Sequence, residues 1–464
     1  MSESTEDAPT ARARALMKNG QTAEAEAVVA ALIAAEFGRT VSGVTINRDA
    51  YSLNSLNGFV ETDAGSFFFK FHQEEGEAQM AGEYYRARIL AEAGLPVDLP
   101  VETSTKPGRQ ILLYRLRKDR RLAEVARDLD EEQDPVKLQT VFRAQLGLDH
   151  AVNWVYQQTL HPITAAQSAA EPIHRLFHER LRDFDRPGLI GGRFASFYAD
   201  QDFVLPGLTL NWRDLRDLKI SVNGVVYGES LGALFDAAFV ELEPARFAGP
   251  HGIGLGVTAH GDAHNANVWY EENEQPPRLS LFDPAFAGEH VPALLAEVKP
   301  TFHNIFAHPY WLYEPQVAAT RFRARATRRG DVLEIETDWA LSQLRQEFLE
   351  AKAWMLWQPL LAEMQRRGGL PTDWRRQLRL ALFCCPTLVM NLRAGAGAHN
   401  PVSSAIGLGI AAMMGSAPQS GAEDPLTRFL DLIEPNQNIG STWRIIDGGK
   451  RNKDTPNRNS SETE

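Results

Sequence analysis

The fold is decided by the stretch Val257-Thr-Ala-His-Gly-Asp-Ala-His-Asn-Ala-Asn-Val-Trp269, which is followed after a polar loop by Leu279-Ser-Leu-Phe-Asp-Pro-Ala285. Short apolar runs flank polar turns, the pattern by which an enzyme presents acid–base groups at the ends of strands. The carboxylate of Asp262 is suited to accept a proton from an attacking hydroxyl. The amide of Asn267 and the carboxylate of Asp283 are oxygen ligands suited to one divalent cation. Together these groups outline the chemistry of phosphoryl transfer.

The spacing His260-Gly-Asp-x-His264-x-x-Asn267, followed by an apolar strand with an Asp, resembles the catalytic and metal-binding segments of the aminoglycoside phosphotransferase family. The Asp-Pro-Ala sequence at 283–285, with Gly288 soon after, is most similar to the fructosamine-kinase branch. Members of this family are small-molecule kinases that share the protein-kinase-like fold. The resemblance therefore implies an α+β fold of two lobes, with a small antiparallel β-sheet lobe and a larger, mainly helical lobe.

The resemblance also implies ATP and Mg²⁺ as cofactors and a hydroxyl of a small molecule as the acceptor. In this interpretation Asp262 is the catalytic base or positions the acceptor, and His260 braces the catalytic loop. Asn267 and Asp283 hold Mg²⁺. The acceptor itself stays open between an aminoglycoside, another antibiotic, a ketosamine and a metabolite such as choline or a sugar.

Other interpretations of the motif are weaker. His260 and His264 are four residues apart, as in a helical zinc site, but the glutamate of a zinc-protease motif is missing between them. Asp262 and Asn267 are also common turn residues. The complete spacing, with Asp283 in register, favours the catalytic interpretation.

Composition narrows the class of protein. The chain has 464 residues, of which 44% are hydrophobic and 23% charged, as in ordinary soluble proteins. Its net charge of −12 argues against nucleic-acid or anionic-membrane partners and favours a cationic or neutral substrate. The adjacent Cys384 and Cys385 cannot form a relaxed disulfide with each other, which predicts buried thiols. Residues 1–10 lack the features of a signal peptide and no long apolar run occurs, so we expect a cytoplasmic protein.

The chain divides by pattern into four parts. They are an N-terminal tail and helix at 1–40, an N-lobe at 41–118, a C-lobe at 119–446 that holds the catalytic loop 258–269 and the metal segment 281–288, and a disordered tail at 447–464. The helix of the first part is predicted at Thr22–Phe37, ending at Gly38.

In the N-lobe, three strands are predicted at Val41–Asn47, Gly58–Thr62 and Phe67–His72. Lys70 lies in the third strand, where it alternates with Phe69 and Phe71 and so points to the opposite face. An exposed lysine on a half-buried strand is the alternative to a phosphate-binding one.

The family resemblance implies that Lys70 binds the α- and β-phosphates of the nucleotide and that a helical glutamate orients it. Glu83 is the candidate partner and Glu77 its rival. A polar loop over residues 51–58 is placed to cover the phosphates, with Ser52 and Ser55 as candidate contacts and an ordinary turn as the alternative. The backbone of Tyr114 to Leu116 is expected to bind adenine.

The stretch between Lys70 and the catalytic loop is long: Asp262 follows Lys70 by 192 residues. We interpret the excess as an insertion around residues 160–250. Helices are predicted at Leu138–Gln158 and Glu171–Phe184, and a hairpin at Leu218–Tyr227 with the turn pair Asn223-Gly224. The hairpin is a candidate wall of the acceptor pocket.

After Asp283 the chain is rich in His and aromatic residues. The family resemblance makes this region part of the acceptor pocket, and the candidate contacts are His290, His303, Asn304 and Trp311. Packing or capping is the alternative for each.

A catalytically silent, kinase-like regulator is the alternative function, and a protein kinase is disfavoured because no glycine-rich loop or Ala-Pro-Glu segment is present. Both a monomer and a homodimer remain open.

Overall fold

The computed structural model describes residues 8–47, 55–72, 86–186, 188–248, 253–307 and 309–435. These residues form two hydrophobic cores. The smaller core runs from Ala13 to Leu113, and the larger one from Leu90 to Ile433. The predicted α+β fold, with a small sheet lobe and a larger helical lobe, is confirmed.

The small lobe combines an antiparallel sheet with helices. Its helices are α1 Pro9–Lys18, α2 Thr22–Phe37 and α3 at 86–93, and its strands are β1 Val41–Ile46, β2 Ser55–Thr62, β3 Gly65–His72, β4 Glu102–Ser104 and β5 Ile111–Arg115. The strand order is β1-β2-β3-β5-β4. Helix α2 has the predicted bounds and ends at Gly38, whose positive φ of 65° suits glycine. Its buried face, which includes Val29 and Ile33, packs into the core of the sheet.

Strand β2 begins earlier than predicted. Ser55 pairs with His72 of β3 as the first residue of the strand, so residues 55–58 are not part of a loop. The short strand β4 and the helix α1 were not foreseen. The extension of β2 follows from its pairing with the apolar strand β3, which continues to His72 and supplies backbone partners.

The larger lobe is mainly helical. Its helices are α4 Leu122–Glu132, α5 Pro135–Thr159, α6 Ala165–Ala170, α7 Gly192–Phe197, α8 Trp212–Leu215, α9 Leu231–Glu241, α10 Val298–Thr301, α11 Ala318–Arg321, α12 Gln343–Lys352, α13 Gln358–Arg366, α14 Trp374–Val389, α15 Pro401–Gly415 and α16 Pro425–Leu432. Its strands are β6 Arg120–Arg121, β7 His161–Thr164, β8 Asp202–Leu205, β9 Leu208–Asn211, β10 Lys219–Val222, β11 Val225–Val226, β12 Ile253–Ala259, β13 Val268–Glu271, β14 Arg278–Leu281, β15 Gly288–Pro292, β16 Ala324–Arg329 and β17 Val332–Thr337.

Two small sheets position the quoted motif. The order of one is β15-β12-β7 and that of the other is β14-β13-β6. The catalytic loop joins β12 to β13, and β13 pairs with β14 so that Val268 lies opposite Leu281. The ends of β13 and β14 therefore bring Asn267 next to Phe282, whose N–H donates to the Asn267 carbonyl at 3.0 Å.

The predicted helix Glu171–Phe184 is wrong. The chain instead forms two short 3₁₀ turns, Pro172–Leu176 and His178–Arg180, because Phe177 between them leaves the helical region with φ −126° and ψ −95°. Apolar side chains of this segment are buried in the larger core, so tertiary packing overrides the helical periodicity of the sequence.

The predicted hairpin is confirmed. Asn223 and Gly224 both have positive φ, 49° and 88°, as a type I′ turn requires. Strand β10 of the hairpin also pairs in parallel with β17, which the sequence did not indicate.

The cysteines behave as predicted. Cys384 and Cys385 are buried free thiols in α14, and burial raises the pKa of Cys385 to about 12.

Among the helices of the described ranges, none combines the length and the apolar character needed to cross a bilayer. The predicted disordered tail at 447–464 lies outside the described residues.

Candidate active site

The catalytic loop turns sharply at Gly261, which has a φ of 78°. A Cβ atom added there would lie 2.7 Å from the carbonyl oxygen of Phe286. Only glycine combines this left-handed conformation with so close an approach of the backbone. The turn delivers the next residue, Asp262, to the end of strand β12.

His260 links the two halves of the motif. Its Nε2 lies 2.9 Å from the carbonyl oxygen of Phe282, and its Nδ1 lies 3.3 Å from the backbone N–H of Asp262. These partners require a proton on Nε2 and a lone pair on Nδ1. Burial lowers the pKa of His260, which keeps the ring neutral. His260 thus ties the residue before Asp283 to the backbone of Asp262.

Asp262 is mostly buried, with 14% of its side chain exposed. Its Oδ1 lies 3.8 Å from Nζ of Lys299, and its Oδ2 lies 3.8 Å from Nε2 of His264. Within the described ranges Oδ1 has no hydrogen-bond partner. A buried carboxylate oxygen without a donor is placed to accept a proton from a bound hydroxyl.

Asn267 and Asp283 offer oxygen atoms beside this carboxylate. The amide nitrogen of Asn267 donates to the carbonyl of Asp262 at 2.9 Å, so the amide oxygen is not used in this hydrogen bond and can serve as a ligand. Asp283 has a positive φ of 57°, and 39% of its side chain is exposed. The donor set of one carboxylate and one amide fits Mg²⁺, which takes few protein ligands and completes its shell with phosphates and water.

His260 and His264 lie in the loop after β12 and not on a helix, so the structure does not support the helical zinc site. No group of three or more His, Cys, Asp or Glu side chains in the described ranges is arranged to hold a metal ion. His264 instead caps the turn that follows it, since its Nδ1 lies 3.3 Å from the N–H of Ala266.

Lys70 connects the two lobes. It lies in β3, is 7% exposed, and its Nζ donates to Oδ1 of Asp283 at 2.6 Å. Phe69 and Phe71, on the opposite face of the strand as predicted, are fully buried in the core of the small lobe. The structure therefore joins the predicted phosphate-binding lysine to the predicted metal ligand.

The remaining candidate contacts of the small lobe are less informative. Glu83, Glu77 and Ser52 lie outside the described residues, so the pairing of Lys70 with Glu83 stays a prediction. Tyr114 lies in β5 with its ring 6.5 Å from that of Phe68. Leu116 follows the strand and is 37% exposed, and adenine binding at this point also stays a prediction.

A short backbone pairing fixes the metal segment relative to the small lobe. The N–H of Leu281 donates to the carbonyl of Pro96 at 2.6 Å, and the N–H of Asp98 donates to the carbonyl of Leu281 at 2.8 Å. Arg117 adds ion pairs to Asp98 at 3.0 Å and to Glu271 at 2.5 Å. The segment before Asp283 is thus anchored to both lobes.

The solved structures similar to this chain include two enzymes. One is spectinomycin phosphotransferase in complex with ADP and spectinomycin, at 10% identity, covering 84% of this chain and 98% of that one with a TM-score of 0.32. The other is a macrolide 2′-phosphotransferase from Brachybacterium faecium, at 16% identity, covering 82% and 97% with a TM-score of 0.35. Both are phosphotransferases. No family model and no curated protein matches the chain.

A buried network that the sequence analysis missed supports the catalytic loop. Oδ1 of Asn304 accepts from the N–H of Asn265 at 2.7 Å, and the carbonyl of Asn304 accepts from Arg345 at 2.9 Å. Arg345 in turn forms an ion pair with Asp130 of α4 at 2.8 Å. Asn304 therefore positions the loop. Its partners come from distant parts of the chain, so spacing alone gave no signal for them.

The other candidate acceptor contacts have different surroundings. Trp311 is fully buried and donates to the carbonyl of Phe306 at 2.9 Å, as a packing residue does. His290 lies 2.8 Å from His161, Nδ1 to Nε2. His303 is buried, and its Nε2 lies 2.7 Å from Nζ of Lys299. Of these, His303 reaches the surroundings of Asp262, through Lys299.

Proposed function

We propose that this protein transfers the γ-phosphoryl group of ATP, with Mg²⁺, to a hydroxyl group of a small molecule. The observation that supports this most is the 2.6 Å contact between Lys70 of the small lobe and Asp283 of the large lobe, next to the loop that carries Asp262. A lysine, a carboxylate suited to bind a metal ion, and a nearby carboxylate oxygen without a hydrogen-bond donor are the parts that phosphoryl transfer needs.

Each side chain has one role in this proposal. Asp262 accepts the proton of the acceptor hydroxyl. At the same time the hydroxyl oxygen bonds to the γ-phosphorus, and the bond between the γ-phosphorus and ADP breaks. Lys70 binds the α- and β-phosphates, and Asn267 and Asp283 hold the cation. The cation, when bound, neutralises the charge that develops on the phosphate oxygens. His260 keeps the two segments in register through its two hydrogen bonds.

A catalytically silent regulator is the competing function. Such a protein has no need for a buried carboxylate oxygen without a hydrogen-bond donor in the catalytic loop. Within the described residues, Oδ1 of Asp262 is such an oxygen. Leaving a buried acceptor without a donor costs about 1–3 kcal/mol, which a binding protein would gain nothing from. The geometry therefore favours an enzyme.

The test is ADP release from ATP and Mg²⁺ across a panel of aminoglycosides, ketosamines, sugars, amino alcohols and hydroxy acids, with mass detection of the added phosphate. Asp262→Asn should reduce kcat by about a hundredfold or more while ATP binding by calorimetry stays nearly unchanged. Asp283→Ala should abolish turnover. Turnover near the wild-type rate in either variant would refute the assigned roles, and nucleotide binding without turnover on the whole panel would favour the regulator.

A further inference from the structure

Buried basic side chains lie near Asp262, although the chain as a whole carries a net charge of −12. Lys299 is almost fully buried, with Nζ 3.8 Å from Asp262 Oδ1. Arg180 and Arg193 act electrostatically on Lys299 in the same region, and Asp262 is the carboxylate that acts on both Lys299 and Arg180. Lys299 and Arg180 thus both lie within the electrostatic influence of Asp262, and Arg193 acts on each of these two cations.

The segment that carries Arg180 packs directly on the site. A Cβ atom at Gly261 would lie 2.9 Å from Cδ1 of Ile173, so the turn Pro172–Leu176 touches the catalytic loop. The carboxylate of Glu171 accepts from the backbone N–H of His290 at 2.8 Å, which ties the same segment to the strand after Asp283. The start of the inserted region therefore packs against the catalytic loop and against strand β15.

Two of the cations have partners. Nζ of Lys299 donates to Nε2 of His303 at 2.7 Å, and Nδ1 of His303 contacts the hydroxyl of Tyr313. Burial, and then the charge of Lys299, hold the pKa of His303 well below its usual range, so this ring stays neutral and accepts from the lysine. Arg193 donates to the carbonyls of Leu388 and Val389 at 2.8 and 3.2 Å, at the end of α14.

Arg180 is different. Its Nη1 is buried, and no hydrogen-bond acceptor for that atom exists in the described ranges. Burial, and then the charge of Arg193, lower the pKa of Arg180 to about 10, so the group remains charged at neutral pH. A buried guanidinium N–H without an acceptor is a cost to folding, and such costs persist at sites that a ligand completes.

The ligand that completes a guanidinium is an oxyanion. The planar fork of arginine matches carboxylate and phosphate groups, with two parallel hydrogen bonds. In a kinase the oxyanion has two sources, the transferred phosphoryl group and an acid group of the acceptor. Lys70 and Asp283 already serve the nucleotide in the proposed mechanism, whereas Arg180 acts on Asp262, the carboxylate assigned to the acceptor hydroxyl.

We propose that Arg180 binds a carboxylate or phosphate group of the acceptor, so that the substrate is an anionic hydroxy compound such as a hydroxy acid or a sugar acid. This assignment rests on the proposed function and names its substrate class. It differs from the cationic or neutral substrate expected from net charge, because it is inferred from the basic groups near Asp262 and not from a sum over the whole chain.

Direct binding is tested first, without turnover. The full chain, loaded with ADP and Mg²⁺, is melted in D-gluconate or D-glycerate and in glucose or glycerol at equal ionic strength. The acids should raise the melting temperature of the wild type and of the control Arg175→Met, whose arginine is exposed on the same segment. Arg180→Met should lose this shift and Arg180→Lys should keep part of it. Without acids, Arg180→Met should melt no lower than the wild type, because it removes a charged group whose buried N–H has no acceptor in the described ranges.

Kinetics then separate the two sources of the oxyanion. For an acid that is phosphorylated, Arg180→Met should raise KM by at least about tenfold, the loss expected for a charged hydrogen bond, and leave kcat and the KM for ATP unchanged. A fall in kcat that is equal for acids and their uncharged analogues would assign Arg180 to the transferred phosphoryl group and overturn the proposal.

Other outcomes also decide the matter. Equal melting shifts with acids and uncharged analogues, or no shift with any acid, overturn the proposal, and so does a lower melting temperature of Arg180→Met in the absence of acids. If only neutral or cationic acceptors give ADP release, the proposed kinase function is supported and the proposed acid site is refuted. An acid-dependent shift that needs Arg180, without ADP release, supports the acid site and removes the kinase function.

Discussion

Lys352 is expected to be one of the most important single side chains for stability. Its Nζ lies 3.0 Å from Oδ1 of Asp149 and 3.0 Å from Oε2 of Glu297, and these side chains are 1–5% exposed. Tyr156 donates to the other oxygen of Glu297 at 2.6 Å. The cluster joins α5, α12 and the residue before α10, which carries Lys299 to the catalytic site.

Replacing Lys352 with Met keeps the volume and the apolar stem but leaves two buried carboxylates without their cation. Removing one partner of a buried ion pair costs about 3–5 kcal/mol, and two stranded partners place this variant near the upper end. Burial by itself would lower the pKa of Lys352, but the charges and hydrogen bonds of Asp149 and Glu297 outweigh burial, and the pKa of Lys352 is raised. The stabilising contribution is therefore complete below about pH 10 and is lost only as the pH rises through the folded-state value.

The assay is urea denaturation at pH 7, followed by tryptophan fluorescence and by circular dichroism. Arg366→Met is the matched control, since Arg366 pairs with Glu363 at the surface and is 69% exposed, and its loss should leave the midpoint unchanged within error. A loss below about 1 kcal/mol for Lys352→Met would be that of a surface pair and would refute the reasoning from burial.

Three further predictions concern the site and the hairpin. Lys70→Ala should weaken ATP and ADP binding by calorimetry far more than adenosine binding, and an equal loss for adenosine would mean a damaged fold. Gly261→Ala should cost about 1–2 kcal/mol of strain and lower kcat, because its φ is 78° and the added Cβ meets the carbonyl of Phe286; unchanged kinetics would show that the loop tolerates the shift. Gly224→Val should destabilise the fold by about 1–2 kcal/mol without changing KM or kcat. The reason is that the hairpin lines a separate cavity of about 460 Å³, to which the catalytic segments do not contribute. A changed KM for the acceptor would instead make the hairpin a wall of the acceptor pocket.

The sequence by itself determined the local features of this protein. Helix α2, the turn at Asn223-Gly224 and the strands around the motif follow from periodicity and turn chemistry, which act between near neighbours in the chain. The same holds for the arrangement within the catalytic loop, because Gly261 fixes its geometry over a few residues. These features needed no knowledge of distant contacts.

Tertiary structure alone decided the partners of the site. The contact of Lys70 with Asp283 spans 213 residues, and the support of Asn265 by Asn304 and Arg345 combines three separate segments. The segment 171–184 has a helical pattern, yet it folds as short turns because burial in the larger core outweighs its local preference.

The charge at the site is the clearest case of this division. Net charge is a sum over the whole sequence and predicted a cationic or neutral substrate. The electrostatics of a buried site depend instead on the few groups that folding brings within several ångströms of one another and removes from water. Here those groups are Arg180, Lys299 and Asp262, which come from three distant stretches of the chain.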